Sequence, residues 1–114
     1  MALFGFIGAG NMGFALLKAC YSTFGKNELV YFDASAQKCQ ETESQLGIPA
    51  EDSNISVAKK CKYLVLAVKP QFMPEVLDEI KDVITNQIII SIAAGISIDS
   101  IREKLGFPAK IVRA

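Results

Sequence analysis

Residues 3–13 read Leu-Phe-Gly-Phe-Ile-Gly-Ala-Gly-Asn-Met-Gly, an apolar run that passes directly into glycines spaced as Gly-x-Gly-x-x-Gly. The run predicts a strand, and the residues after it predict a helix at once. In that context Gly8 permits a tight turn, Gly10 lets a pyrophosphate approach the backbone, and Gly13 lets the helix pack on the strand. The N–H groups at the start of the helix would then face the phosphates. These features predict a dinucleotide-binding turn.

The alternation of one strand with one helix continues to the end of the 114-residue chain. It predicts a single α/β domain over residues 1–114, with a Rossmann-type doubly wound, mostly parallel sheet and helices on both faces. The glycine-rich first turn favours strand order 3-2-1-4-5-6, which places a ligand between strands 1 and 4. The apolar and periodic runs predict strands at 3–7, 28–32, within 48–54, 63–68, 88–92 and 110–112, and helices at 12–24, 36–46, 55–60, 73–84 and 97–105.

The first predicted helix carries an apolar stripe at helical spacing that is expected to face the core: Met12, Ala15, Leu16, Ala19 and Cys20. Met12 also lies at the turn, so it either fills the core or faces a nicotinamide ring. Residues suited to helix ends follow the predicted boundaries, and they are Gly25, Gly47, Ser97 and Gly106.

Composition excludes several classes of function. The chain is 51% hydrophobic, yet its apolar runs are too short to span a bilayer, so we expect no membrane segment. Twelve basic and twelve acidic residues give zero net charge and no basic stripe, which argues against nucleic acid as a partner. The absence of histidine excludes a histidine-based metal site or general base, and we expect no metal. Three cysteines without paired spacing, and no room for a signal peptide, predict reduced thiols in a cytoplasmic protein.

A second candidate position is Asp33, which lies twenty residues after Gly13 at the end of the second predicted strand. A carboxylate there accepts hydrogen bonds from the adenosine ribose 2′-hydroxyl, which favours NAD. Ser35 and Lys38 follow, and they are suited to hold the 2′-phosphate of NADP by hydrogen bond and charge. The structural alternative is a turn-forming aspartate beside a solvated lysine.

Two further segments follow strands whose carboxyl ends reach the same edge of the sheet. Ala67-Val68-Lys69-Pro70 ends an apolar strand, and its lysine either lies beside the cofactor crevice or is an ordinary loop lysine. Residues 91–95, Ser-Ile-Ala-Ala-Gly, either let a flat ring approach the backbone or simply pack closely. No acid–base or nucleophilic pair is evident, so the catalytic group is unassigned. A hydride-transfer enzyme needs few acid–base or nucleophilic side chains, because the cofactor carries the chemistry.

Four segments together resemble the N-terminal half of pyrroline-5-carboxylate reductase: residues 6–13, 66–70, 91–96 and 110–114. The resemblance implies reduction of 1-pyrroline-5-carboxylate to proline with NADPH or NADH. It also implies roles for individual positions along the bound cofactor. The pyrophosphate would be held by Ile7, Gly8, Ala9, Gly10, Asn11 and Met12, the adenosine side by Ser35 and Asn54, and the nicotinamide end by Ala67, Val68, Lys69, Pro70, Ala93, Ala94 and Gly95.

The chain departs from that family in two respects. Members that favour NADPH usually lack an acid at the position of Asp33, and the helical domain that follows in the family is absent here. That domain binds the small-molecule substrate, supplies the proposed proton donor and forms the homo-oligomer, so we expect a monomer with little activity alone. Two alternatives stay open, namely another small reductase such as a hydroxyacid dehydrogenase, and a non-catalytic nucleotide-sensing module.

Overall fold

A five-stranded parallel sheet forms the centre of the molecule in the computed structural model, which describes residues 1–93 and 95–113. Within those ranges the strand order is β2-β1-β3-β4-β5, and each neighbouring pair is parallel. The elements in chain order are β1 (Ala2–Ile7), α1 (Asn11–Phe24), β2 (Leu29–Phe32), α2 (Ala36–Leu46), α3 (Asn54–Lys59), β3 (Cys61–Leu66), α4 (Met73–Ile80), β4 (Ile88–Ser91), α5 (Ile98–Leu105) and β5 (Lys110–Arg113).

Helices cover both faces of the sheet, as the predicted fold class requires. Leu17 of α1 and Leu46 of α2 pack with one cluster of buried side chains. Val57 of α3, Ile80 of α4 and Ile101 of α5 belong to the cluster on the opposite face. Parallel strands buried on two faces read as continuous apolar runs, which explains the apolar composition. The predicted Rossmann-type α/β architecture is therefore confirmed.

The predicted third strand, within residues 48–54, does not form, so the predicted six-strand order is wrong in that element. The segment runs beside β2 and the N–H of Glu51 donates to the carbonyl of Tyr31 at 2.8 Å. Pro49 has no N–H to donate, which weakens any ladder at this edge. The chain instead turns into α3, whose first turn is capped by Ser53 Oγ accepting from the N–H of Ser56 at 3.1 Å.

The predicted core-facing stripe of α1 is also wrong. The side chain of Met12 is 64% exposed and that of Leu16 is 36% exposed, whereas Gly13 and Leu17 are buried. Only four of its fourteen positions are polar, namely Asn11, Lys18, Ser22 and Thr23, so periodicity alone does not select one face. Met12 is therefore not a core-filling residue.

The helix ends follow the predicted capping residues. Ser97 Oγ accepts from the N–H of Ser100 at 3.0 Å, and Gly47 and Gly106 adopt left-handed conformations at the ends of α2 and α5. The predicted fourth helix is shorter than expected, because a 3₁₀ turn at Lys81–Val83 follows its end. Among the described residues, no helix is both long and apolar enough to cross a membrane.

Candidate functional site

The glycine-rich turn is attached to the carboxyl ends of the strands on either side of β1. The N–H of Gly8 donates to the carbonyl of Phe32 on β2 at 2.9 Å. The N–H of Ala67, just after β3, donates to the carbonyl of Ile7 at 2.8 Å. The turn therefore lies where the strand order reverses, with β2 on one side of β1 and β3 on the other. Open α/β sheets bind ligands at this point.

Gly8 and Gly13 are required by the packing of the protein itself. Gly8 has a φ of +98°, and a Cβ added there would lie 2.7 Å from the carbonyl oxygen of Ala67. A Cβ added at Gly13 would lie 2.6 Å from the carbonyl oxygen of Gly8 and 2.9 Å from the Cβ of Ala67. No real side chain fits at those separations without moving backbone. Ala67 is thus a wall of the turn, a role that the sequence did not indicate.

No packing contact among the described residues requires a glycine at position 10. It precedes α1 with a φ of −70°, and nothing lies within 4 Å of a Cβ added there. The first N–H bonded within α1 is that of Phe14, which donates to Gly10 at 2.7 Å. The N–H groups of Asn11, Met12 and Gly13 consequently have no carbonyl partner within the helix. Open space beside unpaired helical N–H groups fits the diphosphate of a dinucleotide.

Asp33 lies immediately after β2, and both oxygens of its carboxylate are engaged with backbone. Oδ2 accepts from the N–H of Ala9 at 2.7 Å, and Oδ1 accepts from the N–H of Ser35 at 2.7 Å. The second contact is the local turn of the structural alternative, whereas the first reaches across to the glycine-rich turn. Asp33 thus contacts the predicted site through backbone groups of the chain.

A cleft of about 190 Å³ separates the glycine-rich turn from α2. Ser35 caps α2, its Oγ accepting from the N–H of Lys38 at 3.4 Å. Lys38 lines the cleft, and its ammonium group lies 3.9 Å from the carboxylate of Glu41. Four residues that line the cleft were not predicted, namely Phe14, Glu41, Thr42 and Gln45. The last three lie three, four and seven positions after Lys38, which is the spacing of residues that share one face of a helix.

The segments after β3 and β4 reach the same edge of the sheet. Lys69 is exposed and precedes a 3₁₀ turn that starts with Pro70, while Val68 packs partly against the core. The N–H of Ile92 donates to the carbonyl of Leu66 at 3.2 Å, which aligns the two segments. Ala93 is buried, and Gly95 is exposed with a φ of +78°. Ala94 lies outside the described residues.

Asn54 is placed differently from the other predicted adenosine contacts. It begins α3, on the face of the sheet opposite α1 and α2, and only 7% of the residue is exposed. Its amide nitrogen lies 3.5 Å from Oε2 of Glu79 on α4. The structure therefore gives Asn54 a partner within the protein, and its contact with adenosine stays a prediction.

Tyr31 contacts α2, the helix that lines the cleft opposite the glycine-rich turn. Its hydroxyl is within 2.8 Å of the carbonyl of Ile48 and 3.2 Å of the carbonyl of Cys39 on α2. Burial, with smaller contributions from Cys39 and Glu43, raises the pKa of the Tyr31 phenol to about 12. Among the described residues, no group of three or more acidic or cysteine side chains is arranged to bind a metal.

The sequence model of the family described as NADP oxidoreductase, coenzyme F420-dependent, matches residues 3–95. The chain belongs to this family. It is similar to pyrroline-5-carboxylate reductase of Escherichia coli K12, with 36% identity over 114 aligned residues that cover 96% of this chain and 42% of the relative. The resemblance expected from the four sequence segments is therefore confirmed.

Two solved structures of that type match this member of the oxidoreductase family. A pyrroline-5-carboxylate reductase from Coxiella burnetii has a TM-score of 0.90 and 28% identity, over 98% of this chain and 43% of the other. A pyrroline carboxylate reductase from Plasmodium falciparum, solved with NADP bound, has a TM-score of 0.84 and 31% identity, over 98% of this chain and 41% of the other. The chain spans about two fifths of the length of these relatives.

Proposed function

We propose that the chain is the dinucleotide-binding domain of a reductase that converts 1-pyrroline-5-carboxylate to proline with NADPH or NADH. The observation that carries the proposal is the open cradle at Gly10, where the residue is glycine although no atom of the protein occupies the space of a side chain. Similarity to pyrroline-5-carboxylate reductases over 96% of the chain supports the choice of substrate.

The residues of the chain bind and orient in this proposal. The N–H groups of Asn11, Met12 and Gly13 hold the diphosphate, and the exposed side chain of Met12 covers it. Lys69 and Gly95, at the ends of neighbouring strands, border the nicotinamide end. When bound, the cofactor supplies a hydride to the imine carbon of the substrate.

The adenosine end of the cofactor extends from the turn towards α2. Lys38 is the cation that lines the cleft beside Gly10, and Ser35 lies at the start of the same helix. These two residues are suited to the 2′-phosphate of NADPH, since phosphate groups favour helix N-termini and lysine. We propose NADPH as the better ligand of the two, with NADH also accepted.

The rest of the proposed enzyme lies outside this chain. The relatives are more than twice as long, and we propose that the additional region supplies the substrate pocket, the proton donor and the contacts of a homo-oligomer. The domain alone is then monomeric and has little reductase activity. The free thiols of Cys20, Cys39 and Cys61 support a reducing, cytoplasmic location.

Calorimetric titration of the purified chain with NADPH, and separately with NADH, tests the binding function. We expect saturable binding of both, with a Kd tighter than about 1 mM for NADPH. Gly10→Ala, which places a methyl group in the cradle, is expected to weaken binding of both dinucleotides roughly tenfold or more. Ala19→Ser, on the exposed surface of α1, is the matched control and leaves the Kd unchanged.

Two results would overturn the proposal. One is a folded chain, shown by circular dichroism, that binds neither dinucleotide at millimolar concentration. The other is equal affinity of the Gly10→Ala variant and the native chain, because the cradle would then not be the binding site. Formation of proline by this chain alone at ordinary enzymatic rates would contradict the assignment of substrate binding to a region outside it.

A further inference from the structure

The carboxylate of Asp33 connects two segments that are far apart in sequence. Its Oδ2 accepts from the N–H of Ala9, in the middle of the glycine-rich turn, and its Oδ1 accepts from the N–H of Ser35. Both N···O distances are 2.7 Å, at the short end of the range for this type of bond, as expected for a charged acceptor. Each oxygen therefore has a strong partner supplied by the protein.

The bond to Ala9 continues the pairing of β1 with β2 beyond the ends of both strands. Gly8, the residue before Ala9, donates its N–H to the carbonyl of Phe32, the residue before Asp33. Two successive N–H groups of the turn are thus held by Phe32, the last residue of β2, and by Asp33, the residue after it. The first acceptor is backbone and the second is a side chain, so the second bond depends on the residue type at position 33.

This arrangement separates five N–H groups of the turn into two sets. Those of Gly8 and Ala9 point to β2 and are used internally, whereas those of Asn11, Met12 and Gly13 are left at the start of α1 for a ligand. A turn held in this way keeps the second set in place before a ligand arrives, and preorganisation of this kind lowers the cost of binding.

We propose that Asp33 is a positioning residue that clamps the glycine-rich turn to the end of β2, and that it does not act as the ribose ligand. The proposal rests on the proposed binding of a dinucleotide. It differs from the ribose assignment in one testable respect. A clamp aids binding of the diphosphate, which NADH and NADPH share, whereas a ribose ligand distinguishes the two cofactors at the 2′ position.

Asp33→Glu separates the two roles without a change in charge. Aspartate and glutamate both serve as ribose ligands at this position in dinucleotide-binding folds, so a ribose role predicts retained NADH affinity. The longer side chain displaces both oxygens from Ala9 and Ser35, so the clamp predicts that the Kd of NADH and of NADPH rises by the same factor, roughly tenfold. Retained NADH affinity, or a change in the ratio of the two constants, would overturn the proposal.

Amide hydrogen exchange without cofactor tests the clamp independently of binding. In the native chain we expect the N–H of Ala9 to exchange slowly, and in Asp33→Glu to exchange at least tenfold faster, with the amides of the central strands unchanged. Asp33→Asn is the second variant, because its one acceptor oxygen can keep the bond from Ser35 while presenting an amide nitrogen to Ala9. Fast exchange at Ala9 in the native chain would overturn the clamp, even if both dinucleotides bind. Absence of binding with protected Ala9 would overturn only the proposed function.

Discussion

The glycine-rich turn has a packed inner wall and an open side that faces the cleft, and the two are built in different ways. The inner wall, formed by Gly8, Gly13 and Ala67, is so closely packed that a Cβ added at either glycine would lie under 3 Å from backbone or side-chain atoms. At the rim, a Cβ added at Gly10 would meet nothing within 4 Å, and across the cleft α2 is held by hydrogen bonds. One glycine motif therefore combines two requirements, the packing of the protein and the space needed by a ligand.

Gly8→Ala should have the largest effect, because it acts on the inner wall in two ways. The variant must hold a positive φ of +98° and must also move the carbonyl of Ala67. We expect a loss of about 3 kcal/mol or more in the free energy of unfolding, from backbone strain added to overpacking. Urea denaturation followed by circular dichroism measures it, and a native-like midpoint would show that the inner wall is not rigid.

Gly13→Ala should be the next most damaging change. Alanine gains helix propensity, but its Cβ meets the carbonyl oxygen of Gly8 at 2.6 Å. The net loss in stability should be about 2 kcal/mol, since the overpacking exceeds the gain in propensity. Adding Ala67→Gly removes only the second contact, so it should restore a minority of the loss. Complete recovery in the double variant would assign the clash to Ala67 instead of Gly8.

Tyr31→Phe tests the support of α2, which lies across the cleft from the turn. It removes the hydroxyl that reaches the carbonyls of Ile48 and Cys39, and we expect a loss of about 1 kcal/mol at neutral pH. Because burial raises the phenol pKa from 10 to about 12 on folding, the contribution of Tyr31 is present below pH 10 and is lost as pH rises towards 12. The stability difference between native and variant chains should therefore shrink over that interval. A constant difference would contradict the assigned pKa.

Gly10→Ala should have the smallest effect on stability. The position has a negative φ and open surroundings, so only the modest preference for glycine at a helix N-cap is lost, less than about 1 kcal/mol. Its loss of dinucleotide affinity would then be a binding effect alone. A loss of stability equal to that of Gly13→Ala would remove the distinction between the packed inner wall of the turn and its open side.

Much of the inner wall could be predicted from the sequence, because Gly8 and Gly13 follow from a local spacing. The helix ends at Ser97 and Gly106 were predictable for the same reason, since capping depends on residues adjacent in sequence. Gly10 was assigned to the ligand from the motif, and its open surroundings agree with that interpretation.

What could not be predicted depends on contacts between distant segments. The rotation of α1 is governed by the contact of Gly13 with Gly8 and Ala67, which an apolar helix sequence does not reveal. The bond from Ala9 to Asp33 joins residues 24 positions apart, and position alone indicated a ribose ligand. The missing strand within 48–54 reflects Pro49, whose lack of an N–H outweighed the regular alternation of strands and helices.

Because Cys61 is buried, the reactivity of its thiol reports when the domain opens. The residue is 1% exposed, its Sγ would lie 2.7 Å from a Cβ added at Gly5, and burial raises the pKa of its thiol to about 12. A thiol reagent should modify the half-buried Cys20 and Cys39 while the sheet is intact, but should reach Cys61 only when β1 and β3 separate. The rate of the slow labelling phase therefore measures how often the native state opens, without denaturant and without an engineered cysteine.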